Sequence, residues 1–512
     1  MKRISRCVLI ACLLLGSVLA VSEGSTDTSN FEPCQWLTKS GIEVTASCGD
    51  VTVPLDADTP DRGSLILPVV KLLAQNEARY DPIFLLKGGP GASNIGQSPL
   101  DWMFRDQDLV MMGYRGADGG IQLQCPDINE AQLGDGSDLL SEQSKRKFSE
   151  GVKRCVAQLQ DQGIQLNLYT IMQVMDDIEN IRRILGYKKI NLLSESYGTR
   201  VALLYGWKYP NSINRSVMIG VNPPGHFVWE PRLIDKQFHY MAQLCRQDDY
   251  CSNRTHDLAA TMKRVSHDMP SSWLGWPIDS GMVKFIGINM LHNRGSAAML
   301  YDSFFAADKG DASGLALISL LYRLQIRFGD PQPIGDLFSK GFIDYEETRD
   351  YSLEMNPPDS IMGSPMSELL MVAGPQWPAS DIPAEYRSVQ MSEVHTLMIN
   401  GSIDFSTPIE NARDELLGSL VNGHLVELKE LGHVSDVYYN QPDAAERLVL
   451  RFLHEGIVDQ SKFHHTPFDF KPENSFVSMM KIGMLAIGFL VLLFVLLLVW
   501  GIRRMRSSRP VQ

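Results

Sequence analysis

The feature that most constrains this chain is a repeated alternation of short, uninterrupted apolar runs with amphipathic helical stretches. Residues 64–70, 82–86, 108–112, 190–193 and 215–221 are such runs, each bounded by turn formers. Continuous apolar text of this length suits strands buried on both faces, as in a parallel sheet, rather than the in–out alternation of a one-sided sheet. Between the runs, Ile171, Val174, Met175, Ile178, Ile181 and Ile184 fall at helical spacing over residues 170–185, and Gly186 marks the end. Residues 199–209 read as a further helix. Strand followed by helix, repeated, implies an α/β fold with a mostly parallel sheet covered on both faces.

The rhythm stops after Asn222-Pro223-Pro224-Gly225 and resumes at residues 394–399, with a last strand at 424–428. The text between is mainly helical, with scattered Trp and Met. About 165 residues inserted between two strands of one sheet read as a separate helical cap. The expected division is a core of 31–225 and 391–459, a cap of 226–390, and a stalk of 460–481.

Both chain ends point to export. Lys2, Arg3 and Arg6 precede an apolar run over 7–15 and small residues up to Ala20, the layout of a signal peptide over residues 1–20. An uncleaved signal anchor is the alternative, and it too implies export. Residues 482–502 carry no charge and would span roughly 30 Å as a helix, the thickness of a bilayer core. Lys481 stands before this run; Arg503, Arg504, Arg506 and Arg509 stand after it. The positive-inside rule therefore puts the tail, 503–512, in the cytoplasm and the bulk of the chain outside. Six cysteines lie beyond the leader: Cys34, Cys48, Cys125, Cys155, Cys245 and Cys251. An even number in an exported chain suggests disulfides; fifteen pairings are open, and spacing suggests sequence neighbours. None has the spacing of a zinc site, so no metal is expected. The net charge of −13 argues against a nucleic-acid partner, since phosphate binding needs a basic surface.

The chemistry gathers at loops that follow strands. Ser194-Glu195-Ser196-Tyr197-Gly198 is close to the nucleophile elbow G-x-S-x-G, with Ser194 in place of the first glycine. A tight strand-to-helix turn exposes the serine, and the helix N-terminus offers N–H groups to a developing oxyanion. Alone, a Ser-x-Gly there could be a simple helix cap. Lys87-Gly88-Gly89-Pro90-Gly91 follows an earlier strand, where a glycine-rich loop can bring a second N–H close. Asp404 follows the strand at 394–399, and His433 follows the strand at 424–428. The order Ser196, Asp404, His433 is that of a triad in the α/β-hydrolase fold, with His433 as base and Asp404 orienting it. The expected oxyanion hole is Gly88, Gly89 and Tyr197, and no cofactor is expected.

Lys87–Gly91, Tyr114-Arg115-Gly116, Tyr169-Thr170, Ser194–Arg200, Asp404–Pro408 and Gly432-His433 together resemble the prolyl aminopeptidase and tripeptidyl aminopeptidase family of α/β-hydrolases. The likeness covers about residues 33–225 and 390–455. It implies release of residues or short peptides from peptide N-termini through a serine acyl-enzyme, with a helical cap that binds the free amine. Lys87, Gly113 and Ser194 depart from the family pattern. Glu195 also occurs in the elbow of serine carboxypeptidases, where it helps bind a substrate carboxylate; here it is read as a candidate substrate contact or as a hydrogen-bonding group under the elbow. Glu230 and Asp235 are the cap acids considered for the substrate ammonium. An esterase or carboxypeptidase of the same fold, or a non-catalytic tethered binding protein, are the competing readings.

Overall fold

The structure is a computed structural model that describes residues 31–96, 98–128, 136–329, 333–378 and 382–507. The expected signal peptide lies outside these residues. Nine strands form the main sheet: β1 Phe31–Leu37, β2 Glu43–Pro54, β3 Ser64–Leu72, β4 Ile83–Leu86, β5 Leu109–Met112, β6 Ile190–Glu195, β7 Ile213–Ile219, β8 His395–Gly401 and β9 Gly423–Leu428. Their order is β1-β2-β3-β5-β4-β6-β7-β8-β9. The first three strands and the β3–β5 step are antiparallel; from β5 onward every pairing is parallel. The apolar runs become strands of this sheet, and β4, β5 and β6 are buried at every position. Residues 64–70 instead fall in β3, which is antiparallel to both neighbours and begins with alternating exposed and buried side chains because one face there is uncovered. Helices Ile171–Ile184 and Tyr197–Lys208 cover one face, and Pro442–Glu455 the other.

The hairpin β1–β2 has no counterpart in the sequence reading. In β1, the edge strand, every residue is half-covered or exposed, and β2 buries only Ala46, Val51 and Val53. Cys34 and Cys48 staple it. The other disulfides, Cys125–Cys155 and Cys245–Cys251, also join neighbours along the chain.

Between β7 and β8 the chain is helical, apart from a two-strand hairpin, Ser272–Trp273 with Trp276–Pro277. Residues 123–128 and 136–169, expected within the first part of the core, contribute to one apolar cluster with this insertion. Phe148, Val152 and Leu159 pack with Met282, Phe338 and Trp377. Residues 460–481 do not form a free stalk. Phe468 and Phe470 are buried against Tyr301 of the cap, because two aromatic rings in that stretch complete the cap's own core. The C-terminal helix runs Phe476–Ser507. The most apolar part of its stretch Phe476–Trp500 has a mean hydropathy of 3.1, and none of that part is buried in protein.

Candidate active site

Ser196 sits where β6 turns into helix Tyr197–Lys208, at φ 53 and ψ −126. This left-handed backbone is uncommon for a residue with a Cβ and is held by its neighbours. The Ser196 N–H donates to Ile219 O at 2.8 Å. A methyl on Gly198 would fall 2.2 Å from Leu86 O, and one on Gly88 would fall 2.7 Å from Ser196 Cβ. Both positions therefore require glycine for the backbones to pass. Ser194 is tolerated in place of the elbow's first glycine because its hydroxyl donates across the sheet to Val217 O at 3.1 Å.

The loop after β4 is clamped from behind. Asn94 Oδ1 accepts the Lys87 N–H at 2.7 Å, and its amide donates to Leu85 O and Met112 O. Asp118 in turn accepts from the Asn94 and Tyr114 N–H groups. A side chain on Gly113 would strike Asp118 Cβ and Pro68, so the usual aspartate is absent there and Asp118 supplies the carboxylate. The next residue but one, Arg115, is buried and forks onto Asp177 at 2.6 and 2.7 Å.

Asp404 and His433 are brought together by the loops after β8 and β9. Asp404 Oδ2 lies 2.7 Å from His433 Nδ1. Asp404 Oδ1 accepts the N–H groups of Ser406 and Thr407, and Oδ2 accepts the Thr407 hydroxyl. Burial alone would raise the Asp404 pKa; the charge and hydrogen bond of His433 and the Thr407 bonds outweigh it and hold the carboxyl below its ordinary value. Burial likewise opposes charge on His433, and Asp404 outweighs it, so the imidazole pKa is raised. The His433 ring packs on Gly220, which follows the Ile219 that binds Ser196. Among the described residues, no hydrogen bond links Ser196 Oγ to His433.

The acids considered for substrate binding are already engaged. Glu195 accepts from Lys87 Nζ at 2.8 and 2.9 Å, across 108 residues of sequence, which also accounts for the lysine before the glycine loop. Glu230 pairs with Arg349 at 3.2 Å, and Asp235 Oδ1 accepts the Ile361 N–H at 2.9 Å. Neither cap acid has a hydrogen bond or ion pair to a triad residue.

Two cap elements that the sequence reading did not single out reach the site. His292 O accepts the His433 N–H at 2.6 Å, and the two rings lie 5.4 Å apart. Burial and the neighbouring His433 push the His292 pKa down to about 3, so its imidazole is neutral. Asp336 accepts the Gly91 N–H at 3.2 Å and pairs with Lys340, whose ammonium donates to Arg115 O. Lone polar residues on helical text carry no sign of these partners.

Residues 81–270 match the alpha/beta hydrolase fold family, and residues 360–463, which hold Asp404 and His433, match the TAP-like protein family. The chain has the α/β-hydrolase fold and resembles its tripeptidyl-aminopeptidase-like members. It is 24% identical over 278 residues to a tripeptidyl aminopeptidase of Streptomyces lividans, covering 51% of this chain and 50% of that one. It is 27% identical over 236 residues to the putative hydrolase YuaR of Escherichia coli K12, covering 42% and 46%. It is 26% identical over 196 residues to the serine protease Hip1 of Mycobacterium tuberculosis H37Rv, covering 35% and 36%. The chain thus spans about half the length, or less, of these curated relatives. In this α/β-hydrolase the elbow, the clamped glycine loop and the Asp–His pair form one constellation suited to acyl transfer.

Proposed function

We propose that this protein is an exported, membrane-anchored serine exopeptidase that releases residues or short peptides from peptide N-termini. The observation that carries the reading is the Asp404–His433 pair set beside a strained Ser196 that touches the Gly88 loop. Ser196 Oγ attacks the scissile carbonyl as His433 Nε2 takes its proton. The Tyr197 N–H and the Gly88-Gly89 loop receive the oxyanion. The C–N bond breaks, and His433 returns the proton to the leaving amine. Water, deprotonated by the same imidazole, then hydrolyses the ester and frees Ser196. The leader text, the disulfides and the Arg-flanked apolar helix support an outside location with peptides as substrates.

The engagement of Glu195 by Lys87 favours this reading over a carboxypeptidase, whose elbow glutamate must be available to a substrate carboxylate. A free-amine peptide amide is expected to be turned over faster than its N-acetylated form by about 10–100-fold, the worth of hydrogen bonds to one charged group. Equal rates would indicate an esterase-like or endopeptidase-like hydrolase instead.

Only neutral imidazole can accept the serine proton, so activity appears as pH rises through the His433 pKa. Because Asp404 holds that pKa up, the acid limb of kcat/KM is expected above the ordinary histidine value of about 6.5. Asp404→Asn should move the limb to lower pH and cut kcat/KM by on the order of 10⁴. A pH–rate profile unmoved by Asp404→Asn would refute the pairing as the source of the base.

A further inference from the structure

The apolar helix Phe476–Ser507 does not leave the protein from the hydrolase core. Its first turns are built into the cap: Phe476, Met480 and Met484 pack with cap residues, and Lys481 pairs with Asp311 at 2.5 Å. Trp276 donates its indole N–H to Met484 Sδ at 3.1 Å. Cap helix Ser313–Phe328 starts at the same place, where a methyl on Gly314 would fall 3.1 Å from Val477. These two helices make the most extensive helix pairing among the described residues. The two helices begin together and stay paired through the first turns of the apolar helix, which is exposed from Leu485 onward, so they start out in the same direction. The cap helix therefore follows the span toward the bilayer.

On this side of the cap, large apolar side chains lack cover. Leu321 and Leu324 are 43% and 42% exposed, and Phe328 is 74% exposed. Leu274, also 74% exposed, forms the tip of the hairpin that packs against the same helix. It does so at φ 45, a left-handed conformation in which glycine would meet no resistance. Trp273 and Trp276 flank it. Arg327 lies on the helix with its guanidinium 5.7 Å from the Phe328 ring, whereas Arg323 is turned toward Asp279 of the cap. Exposed Leu and Phe framed by Trp and Arg is the composition of a segment at a membrane surface. The aliphatic and phenyl groups go below the headgroups, the indoles sit level with them, and guanidiniums reach lipid phosphates.

We propose that the cap docks on the lipid bilayer through Leu274, Leu321, Leu324 and Phe328, on the leaflet where the span enters. This rests on the membrane-anchored reading above. The hydrolase core then hangs from a membrane-seated cap rather than from a loose tether. The test uses the full chain with Cys7 and Cys12 replaced by serine and the three disulfides intact, reconstituted in phosphatidylcholine–phosphatidylglycerol vesicles. Nitroxide labels are placed singly by Leu324→Cys, Phe328→Cys, Leu493→Cys in the span and Leu37→Cys on the exposed β1 edge. Labels at 324, 328 and 493 are expected to be relaxed by oxygen and shielded from a water-soluble nickel chelate, with 37 open to the chelate. If 493 is shielded while 324 and 328 match 37, the span is inserted and the cap stands clear, which overturns this inference alone. If 493 is also open to the chelate, the anchoring itself fails and the inference with it. Dipolar broadening between copies at 328 would make the face a dimer contact and overturn lipid docking.

Discussion

Ser196→Ala is expected to lower kcat/KM for a free-amine peptide amide by on the order of 10⁶, with the melting curve unchanged to within about 0.5 kcal/mol. The size follows from what is removed. In the proposed mechanism the hydroxyl forms the acyl-enzyme, and the neighbouring hydroxyls are committed elsewhere: Ser194 donates to Val217 O and Thr199 to Ser196 O. The fold should not notice the loss, because the turn is held by main-chain contacts. Ser196 N–H binds Ile219 O, and Gly88 and Gly198 clear the way for the crossing backbones. Alanine has the same Cβ and meets the same left-handed φ. Residual activity above the uncatalysed rate, on the order of 10³, would remain from the oxyanion N–H groups and substrate binding. A chromogenic peptide assay and labelling by a fluorophosphonate measure both sides. Full turnover by the variant, or labelling at another residue, would sink the assignment.

The second large effect is structural. Arg115→Met should destabilise the fold by about 3–5 kcal/mol, the cost of stripping one partner from a buried ion pair, and lower the thermal midpoint by roughly 10 °C. Arg115 is 1% exposed and donates to both Asp177 oxygens and to Pro54 O, Leu55 O and Leu168 O. It ties the end of β2 and the entry to helix Ile171–Ile184 to the loop after β5. Asp177 is buried deeply enough that its pKa is raised even with Arg115 in place, so without the arginine it must take a proton or stay as an uncompensated charge. Arg115→Lys should rescue little, since an ammonium cannot reproduce the planar fork. Arg115→Met with Asp177→Leu should recover part of the loss by removing the orphan charge, leaving three carbonyls short of a donor. Melts of the three variants separate these terms; a single variant that melts within a degree of the parent would show that the pair contributes nothing.

How far the site could be read in advance differs residue by residue. Ser196, Asp404 and His433 were legible as a candidate triad because each lies on a loop just past a sheet strand, and chain order suggests their roles on this sheet. Lys87 and Glu195 were individually visible, but their pairing crosses 108 residues and needs β4 beside β6. Glu230 and Asp235 stand out only as candidates for the substrate amine because a helix surface does not reveal its partners; Arg349 and the Ile361 amide engage them in the folded cap. The hairpin β1–β2 escaped because its half-covered residues lack any continuous apolar run. Phe468 and Phe470 looked like part of a linker because the aromatic surface they complete is built from residues more than a hundred positions earlier.

The sequence by itself determined the strands from β3 onward, the helical text inserted between two of them, the order of the candidate triad and the apolar C-terminal helix. Each is a local pattern whose period or charge content dictates what it can bury. Tertiary structure alone decided which carboxylates are engaged, that His292 and Asp336 of the cap touch the site, and that the C-terminal helix departs from the cap rather than the core. Those outcomes depend on contacts between segments far apart in the chain, and neither the partner nor the direction of a side chain is written in its neighbours.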